Sequence, residues 1–305
     1  MKITILTLGS TGDVRPYILL GRELQARGHA ITLASFSRFA EMVRESGLTF
    51  FPVSGDAEAL MAAILSPDTS GITYLPHVQK SLKKVAPQLI QDLSDSCVGA
   101  DALICNFFGS VYYSIAEKHQ IPCVQTHYFP MDPTHSFPIS SIRLQHMGPW
   151  LNSASYRIGY LLIGVVEKRY LTSWRKKNAV SLRKLRASPD YRIGDHIIPV
   201  IYAISPLLLP RPREWNEHIR MSGFWMDEHP APWQPPAELE AFLASGGKTV
   251  YIGFGSMTGG NMNRLMTIVL RAVHAAGLSA VISAGWGGKK NEIHPAGVFR
   301  GLCPP

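Results

Sequence analysis

Apolar residues fall in short runs from the first positions onward. Ile3 to Leu8 is such a run, the pattern of a strand buried on both faces of a parallel sheet. A Gly-Ser-Thr-Gly-Asp turn at 9–13 follows. A helical pattern with apolar Ile18, Leu19 and Leu24 comes next, ended by Arg27-Gly28 as last turn and C-cap. Ala30 to Ala34 reads as a second strand, Phe39 to Glu45 as a helix closed by Gly47, and Thr49 to Val53 as a third strand. A helical stretch around Leu75 to Leu93 precedes a fourth strand, Ala102 to Cys105. The helix Ser110 to His119 leads to a fifth, Pro122 to Thr126. Repeated β-α-β units imply an α/β protein with a doubly wound parallel sheet, because right-handed crossovers place helices on both faces.

The rhythm breaks at 130–185. Pro130, Pro133, Pro138 and Pro149 precede a long, basic, partly amphipathic helical stretch from Tyr156 to Arg186. Strand-like Pro199 to Ile204 and a Pro-rich passage at 206–212 follow, and a first domain is expected to span 1–225. Residues 226–247 read as a linker with one short helix. A second α/β unit, 248–305, holds a strand at Thr249 to Phe254, a helix at Asn263 to Ala275 and a strand at Ser279 to Ser283. A third strand begins at Val298-Phe299.

The 305 residues are 46% hydrophobic and 17% charged, which describes a cored globular protein. The net charge of +8 suits an anionic partner: a nucleotide diphosphate, a membrane surface or a nucleic acid. Charge alone does not choose among them. Cys97, Cys105, Cys123 and Cys303 show neither a C-x-x-C pair nor metal-ligand spacing, and read as reduced thiols of a cytoplasmic protein. The opening Met1 to Leu6 lacks the apolar core of a signal peptide. The longest apolar run in the middle of the chain, Leu161 to Val166, is far shorter than the roughly 20 residues that span a bilayer.

Ligands of open parallel sheets sit beyond the carboxyl ends of the strands. Three polar positions fall there: Asp13 after the first strand, Asn106 after the fourth and His127 after the fifth. A carboxylate is a competent general base for a hydroxyl that attacks as it loses its proton. An Asp before Val14-Arg15-Pro16 is equally a natural helix N-cap, and the loop by itself leaves both readings open. Asn106 is placed either to hold Asp13 or substrate, or to cap the helix near Ser110. His127 is suited to orienting an acceptor, or else lines a pocket with Tyr128 and Phe129. Backbone amides of Gly253 to Ser256, with the Ser256 hydroxyl, offer a site for phosphate oxygens. The basic stretch at 168–186 reads as a solvated helix face, or more sharply as a peripheral membrane contact. No nucleic-acid motif accompanies it.

Three passages together carry a family resemblance. Gly9-Ser-Thr-Gly-Asp-Val-Arg-Pro16, continuing to Gly28-His-Ala-Ile-Thr-Leu-Ala34, resembles the opening of the bacterial and fungal glycosyltransferases that modify sterols, lipids and antibiotics. Ala203-Ile-Ser-Pro206 with Ser222-Gly-Phe-Trp225 is similar to the end of their acceptor domain. Val250 to Met257 and Val281 to Gly288 are similar to the opening of their donor domain. The resemblance implies a GT-B fold, with two Rossmann-like domains facing each other across a cleft. It implies that Asp13 is the general base of an inverting, metal-independent transfer of a hexose from a nucleotide sugar, UDP-glucose by default. Ser10, Thr11 and Gly12 are expected at the donor together with Gly255 and Ser256. Asn106, His127, Tyr128 and Phe129 are expected at a lipophilic acceptor, with Phe137 and Trp150 as further apolar walls. No Asp-x-Asp motif argues for a metal.

One departure stands against the family pattern. Nothing after Gly288 matches the family's His-Gly-Gly phosphate-binding segment or its sugar-gripping Gln/Asp pair. An incomplete donor domain, with weak or absent transfer, is therefore the expectation, and a non-catalytic binder of lipophilic ligands is the alternative. A nicotinamide-dependent Rossmann oxidoreductase is a further class. It lacks the full glycine fingerprint, and its second strand ends without the acidic residue that binds ribose.

Overall fold

The computed structural model describes residues 1–57, 85–106, 109–139, 147–180, 192–193, 195–227, 234–255, 262–283, 292–294 and 298–300. The main sheet has seven strands: β1 (Lys2–Leu6), β2 (Ala30–Phe36), β3 (Thr49–Val53), β4 (Ala102–Cys105), β5 (Cys123–His127), β8 (Val200–Tyr202) and β9 (Ile219–Met221). A separate two-residue hairpin pairs β6 (Arg192–Ile193) with β7 (His196–Ile197). The order of the main sheet is β3-β2-β1-β4-β5-β8-β9, and every pairing in it is parallel. The chain thus winds outward in one direction from β1 to β3 and in the other from β4 to β9. The reversal between β1 and β4 leaves a crevice at their carboxyl ends, because the two following connections depart to opposite sides.

Apolar runs set the central strands, as expected of a sheet covered on both faces. Ile5, Leu6, Leu33 and Leu103 are fully buried. Helix α1 (Thr11–Ala26) turns Val14, Tyr17, Ile18 and Gly21 inward. A Cβ on Gly21 would stand 2.7 Å from Leu48 Cδ1, so the absent side chain is what lets this helix lie close on the sheet. A 3₁₀ turn at Ser37–Phe39 runs into α2 (Ala40–Glu45). Helix α3 (Ala86–Asp95) covers the described end of the helical stretch read around Leu75 to Leu93; the part before residue 85 lies outside the described residues. Helix α4 (Gly109–His119) lies where the pattern placed it.

The long helix is displaced from its reading. It forms α5 (Pro149–Lys177), starting seven residues before Tyr156; residues 181–191 lie outside the described set. Among the described residues its last turns are only partly a solvated basic face: Lys176 and Lys177 are exposed, whereas Trp174 and Arg175 turn inward. Trp174 is buried, its Nε1–H donates to Gln91 Oε1 at 3.3 Å, and the Lys118 ammonium sits 5.3 Å from its ring centre. Arg175 is also buried; its guanidinium donates to Ser114 Oγ and to Glu117 Oε2, each at 2.9 Å. A cation turned inward onto α4 is outside the reach of any sequence count, because helix rotation follows the partner surface.

Strand β9 escaped the sequence pattern. Ile219-Arg220-Met221 alternates apolar and polar, but three residues are too few for that alternation to signal a strand, and pairing with β8 defines it. The second unit is richer than read. After α6 (Ala237–Ala244), strands β10 (Thr249–Gly253), β11 (Ser279–Ser283), β12 (Glu292–His294) and β13 (Val298–Arg300) form a sheet in the order β10-β11-β13-β12. Only β12 runs antiparallel there. Helix α7 (Met262–Ala275) supplies Val273 to a small buried cluster with Ala280 and Ile282. Cys97, Cys105 and Cys123 are free and buried; Cys303 lies outside the described residues.

Candidate active site

The loop from β1 to α1 enters at the reversal of the sheet. Its N-cap is Ser10, with extended backbone at φ −94° and ψ −178°. Asp13 is therefore the third helical residue and not the cap itself, a correction to the reading of the loop. The Ser10 N–H donates to Asp13 Oδ2, which is the acidic half of a capping box. Thr7 Oγ1 donates to the Asp13 carbonyl at 2.7 Å and ties the first turn to the strand end. Gly9 has φ +136°, a left-handed value that side chains resist. A Cβ at Gly9 would stand 2.2 Å from Asp13 Oδ2, so the carboxylate occupies the space the glycine leaves open.

The other carboxylate oxygen is held from across the sheet. Tyr128, the first residue after β5, donates its hydroxyl to Asp13 Oδ1. Burial, with the Asp13 charge second, pushes the Tyr128 phenol well above its ordinary range, so it remains a proton donor. Its ring meets Tyr17 edge-on at 6.2 Å between centroids and Phe129 at 5.4 Å. Tyr17 in turn meets Trp225 edge-on at 5.6 Å and bonds Thr126 Oγ1 through its hydroxyl at 2.6 Å. The half-buried Asp13 carboxylate thus borders an aromatic wall of Tyr17, Tyr128, Phe129 and Trp225. The local sequence pattern does not mark Tyr17 or Trp225 as site residues. The available signal for Tyr17 was its position four residues after Asp13, on the same helix face.

Asn106 and His127 lie behind the site. Asn106 is fully buried and donates through Nδ2 to the Leu8 carbonyl at 3.1 Å. It therefore braces the β1 loop against β4; among the described residues the bonds of its side chain go to Leu8 and Thr7 and not to Asp13 or Ser110. His127 closes β5 instead of following it, is 3% exposed, and lies 5.2 Å from the Tyr202 ring. Burial pushes its imidazole down to about 3, which keeps it neutral. Ser10 and Thr11 are half-buried and Gly12 is exposed beside Asp13. Gly255 follows β10 with φ +56° and is exposed; Ser256 lies outside the described residues. Phe137 is half-buried, whereas Trp150 is 87% exposed at the start of α5 and lines no enclosed wall.

The sheet is doubly wound with a carboxylate beside its switch point, and solved structures share that fold. The fold is that of the GT-B glycosyltransferases. The kitacinnamycin glycosyltransferase superposes with a TM-score of 0.62 at 17% identity, over 100% of this chain and 71% of that one. Within that class, residues 3–138 match the N-terminal domain of glycosyltransferase family 28. The chain is 30% identical over 296 residues to a sterol 3-beta-glucosyltransferase of Gibberella zeae, covering 94% of this chain and 20% of that protein. It is 29% identical over 309 residues to one of Arabidopsis thaliana, covering 97% and 47%. The chain therefore spans a fifth of the length of the fungal relative and about half of the plant one.

Proposed function

We propose that this chain takes part in the metal-independent transfer of a hexose, glucose from UDP-glucose, to a hydroxyl of a lipophilic acceptor such as a sterol. The observation that carries the reading is the Asp13 carboxylate, fixed between the Ser10 amide and the Tyr128 hydroxyl and bordered by aromatic rings. The acceptor hydroxyl gives its proton to Asp13 while its oxygen attacks the anomeric carbon in line. The bond to the nucleoside diphosphate breaks, and the configuration inverts. Tyr128, Phe129 and the rings around them receive the acceptor, while Asn106 and His127 support the loops from behind. Residues 1–225 supply the acceptor side. Ser10, Thr11 and Gly12, with Gly255 and Ser256 of 248–305, offer amides and hydroxyls to the diphosphate, where developing charge is stabilised. The relatives' printed names, sterol 3-beta-glucosyltransferase, support glucose and sterol as the first substrates to try.

The test is transfer from UDP-glucose to a panel of sterols, read by mass spectrometry. It is run on this chain and on the chain extended by the residues that follow the matched region in the Arabidopsis relative. Glucoside formation that drops by at least about a hundredfold in Asp13→Asn is expected. Undiminished product from Asp13→Asn refutes the assignment of the base.

A further inference from the structure

Helix α5 presents two different surfaces along roughly its first five turns. The inner one packs on the 131–139 segment. Asn152 and Tyr156 are buried, Asn152 Nδ2 donates to the His135 carbonyl at 2.9 Å, and Tyr160 Oη donates to the Met131 carbonyl at 2.8 Å. The outer one is apolar and bare: Trp150 is 87% exposed, Leu151 59%, Ile158 58%, Leu161 69%, Leu162 45% and Val165 57%. Positions 151, 158, 162 and 165 recur at helical spacing, with 150 and 161 beside them. This face is about 22 Å long at the rise of an α-helix. Contiguous exposed apolar surface of this kind marks a contact with something else.

The charge around the face identifies the partner. Arg157 is exposed one turn before Leu161, and Lys176 is exposed three turns beyond Val165 on the same side, with Lys177 next to it. The helix sequence holds Arg157, Lys168, Arg169, Arg175, Lys176 and Lys177 against the single acid Glu167. Of these, Arg175 is committed to Glu117. A second copy of a chain of net charge +8 brings the same positive charge to the contact, whereas an anionic lipid surface neutralises it. A helix face is convex, while a small molecule needs concave walls. Among the described residues, no helix is long and apolar enough to cross a membrane, so the fit is to the surface and not the span.

We propose that the outer face of α5 lies in the interface of an anionic bilayer. Trp150, Leu151, Ile158, Leu161, Leu162 and Val165 enter the boundary between headgroups and acyl chains, and Arg157, Lys176 and Lys177 meet lipid phosphates. The contact thus extends from the basic stretch at 168–186, of which Lys176 and Lys177 take part, to the apolar first half of the helix. It extends the reading of a lipophilic acceptor by naming where such an acceptor is met, but its test reads membrane binding and not transfer. Transfer without vesicle binding sinks this inference alone; vesicle binding without transfer sinks the proposed function alone.

The experiment is co-sedimentation of the whole chain with vesicles of phosphatidylcholine, with and without phosphatidylglycerol. Binding to the mixed vesicles, weakened by salt, is expected, with less binding to phosphatidylcholine alone. The double variant Leu161→Glu/Val165→Glu is expected to lose about tenfold or more in partitioning. Both positions face outward, and circular dichroism checks that the fold is kept. Lys176→Glu/Lys177→Glu is expected to weaken binding to the anionic vesicles only. The emission of the chain, less that of Trp150→Phe, is expected to shift to the blue on adding vesicles. Failure of the chain to bind anionic vesicles overturns the proposal. So does equal binding by the Leu161→Glu/Val165→Glu variant, or a solution dimer that this variant dissociates.

Discussion

The hydroxyl of Tyr128 donates to Oδ1 of Asp13 across 115 positions of sequence. With the Ser10 amide on Oδ2, that bond sets the carboxylate in one orientation at the switch point of the sheet. Two donors on different elements fix a group better than either alone, because each removes a different rotation of the side chain.

Replacing Tyr128 by Phe keeps the ring contacts with Tyr17 and Phe129 and removes only the donor. A stability loss of about 1–2 kcal/mol is expected from the missing charge-assisted bond. Transfer is expected to fall roughly tenfold in kcat with little change in acceptor KM, because orientation is lost and the apolar wall is kept. Urea denaturation and steady-state kinetics check the two parts separately.

Gly9→Ala introduces a methyl group where Asp13 Oδ2 now lies, at a backbone conformation of φ +136°. A cost of about 1–3 kcal/mol in unfolding free energy is expected. Transfer is expected to fall as far as it does in Asp13→Asn, since the carboxylate has to move. Gly12→Ala serves as the control: Ser10 Oγ, at 3.7 Å, is the nearest atom to a Cβ there, so stability is expected to change by less than about 1 kcal/mol.

His127 links stability to pH. Its imidazole is held down to about 3 by burial, while in the unfolded chain it titrates near 6.5. Between these values the unfolded chain binds the extra proton, so the folded state loses stability as pH falls below about 6.5, at up to about 1.4 kcal/mol per unit. From His127 alone, about 2 kcal/mol is expected to disappear between pH 6.5 and pH 5. Denaturant midpoints at both pH values, for the parent and for His127→Gln, measure it; an unchanged difference in the variant excludes His127 as the source.

The pair of Arg175 and Glu117 is asymmetric. The Arg175 side chain is 4% exposed and that of Glu117 is 30% exposed. Glu117→Leu takes the carboxylate from a buried cation and is expected to cost roughly 3 kcal/mol. Arg175→Met leaves Glu117 within reach of water and is expected to cost about 1 kcal/mol or less. Equal losses in thermal or chemical unfolding contradict this account.

The sequence by itself determined the parallel α/β sheet, because runs such as Ile3 to Leu8 and Ala102 to Cys105 are apolar on both faces and need cover on both. It also marked Asp13 as a polar residue just beyond the first strand, since turn glycines and a helix start are local signals, although the helix begins at Thr11 and takes in Asp13 as its third residue. It did not determine what holds Asp13. Ser10 as cap, the space above Gly9 and the Tyr128 hydroxyl depend on how α1 and β5 meet, and no local pattern carries that distance. Nor did it tell which side of α5 is buried. Helix rotation is chosen by the surface beneath, so Arg175 turns inward to Glu117 while Leu161 and Val165 are left outside. Tertiary packing made both choices, because a side chain's environment is set by the elements around it and not by its neighbours in sequence.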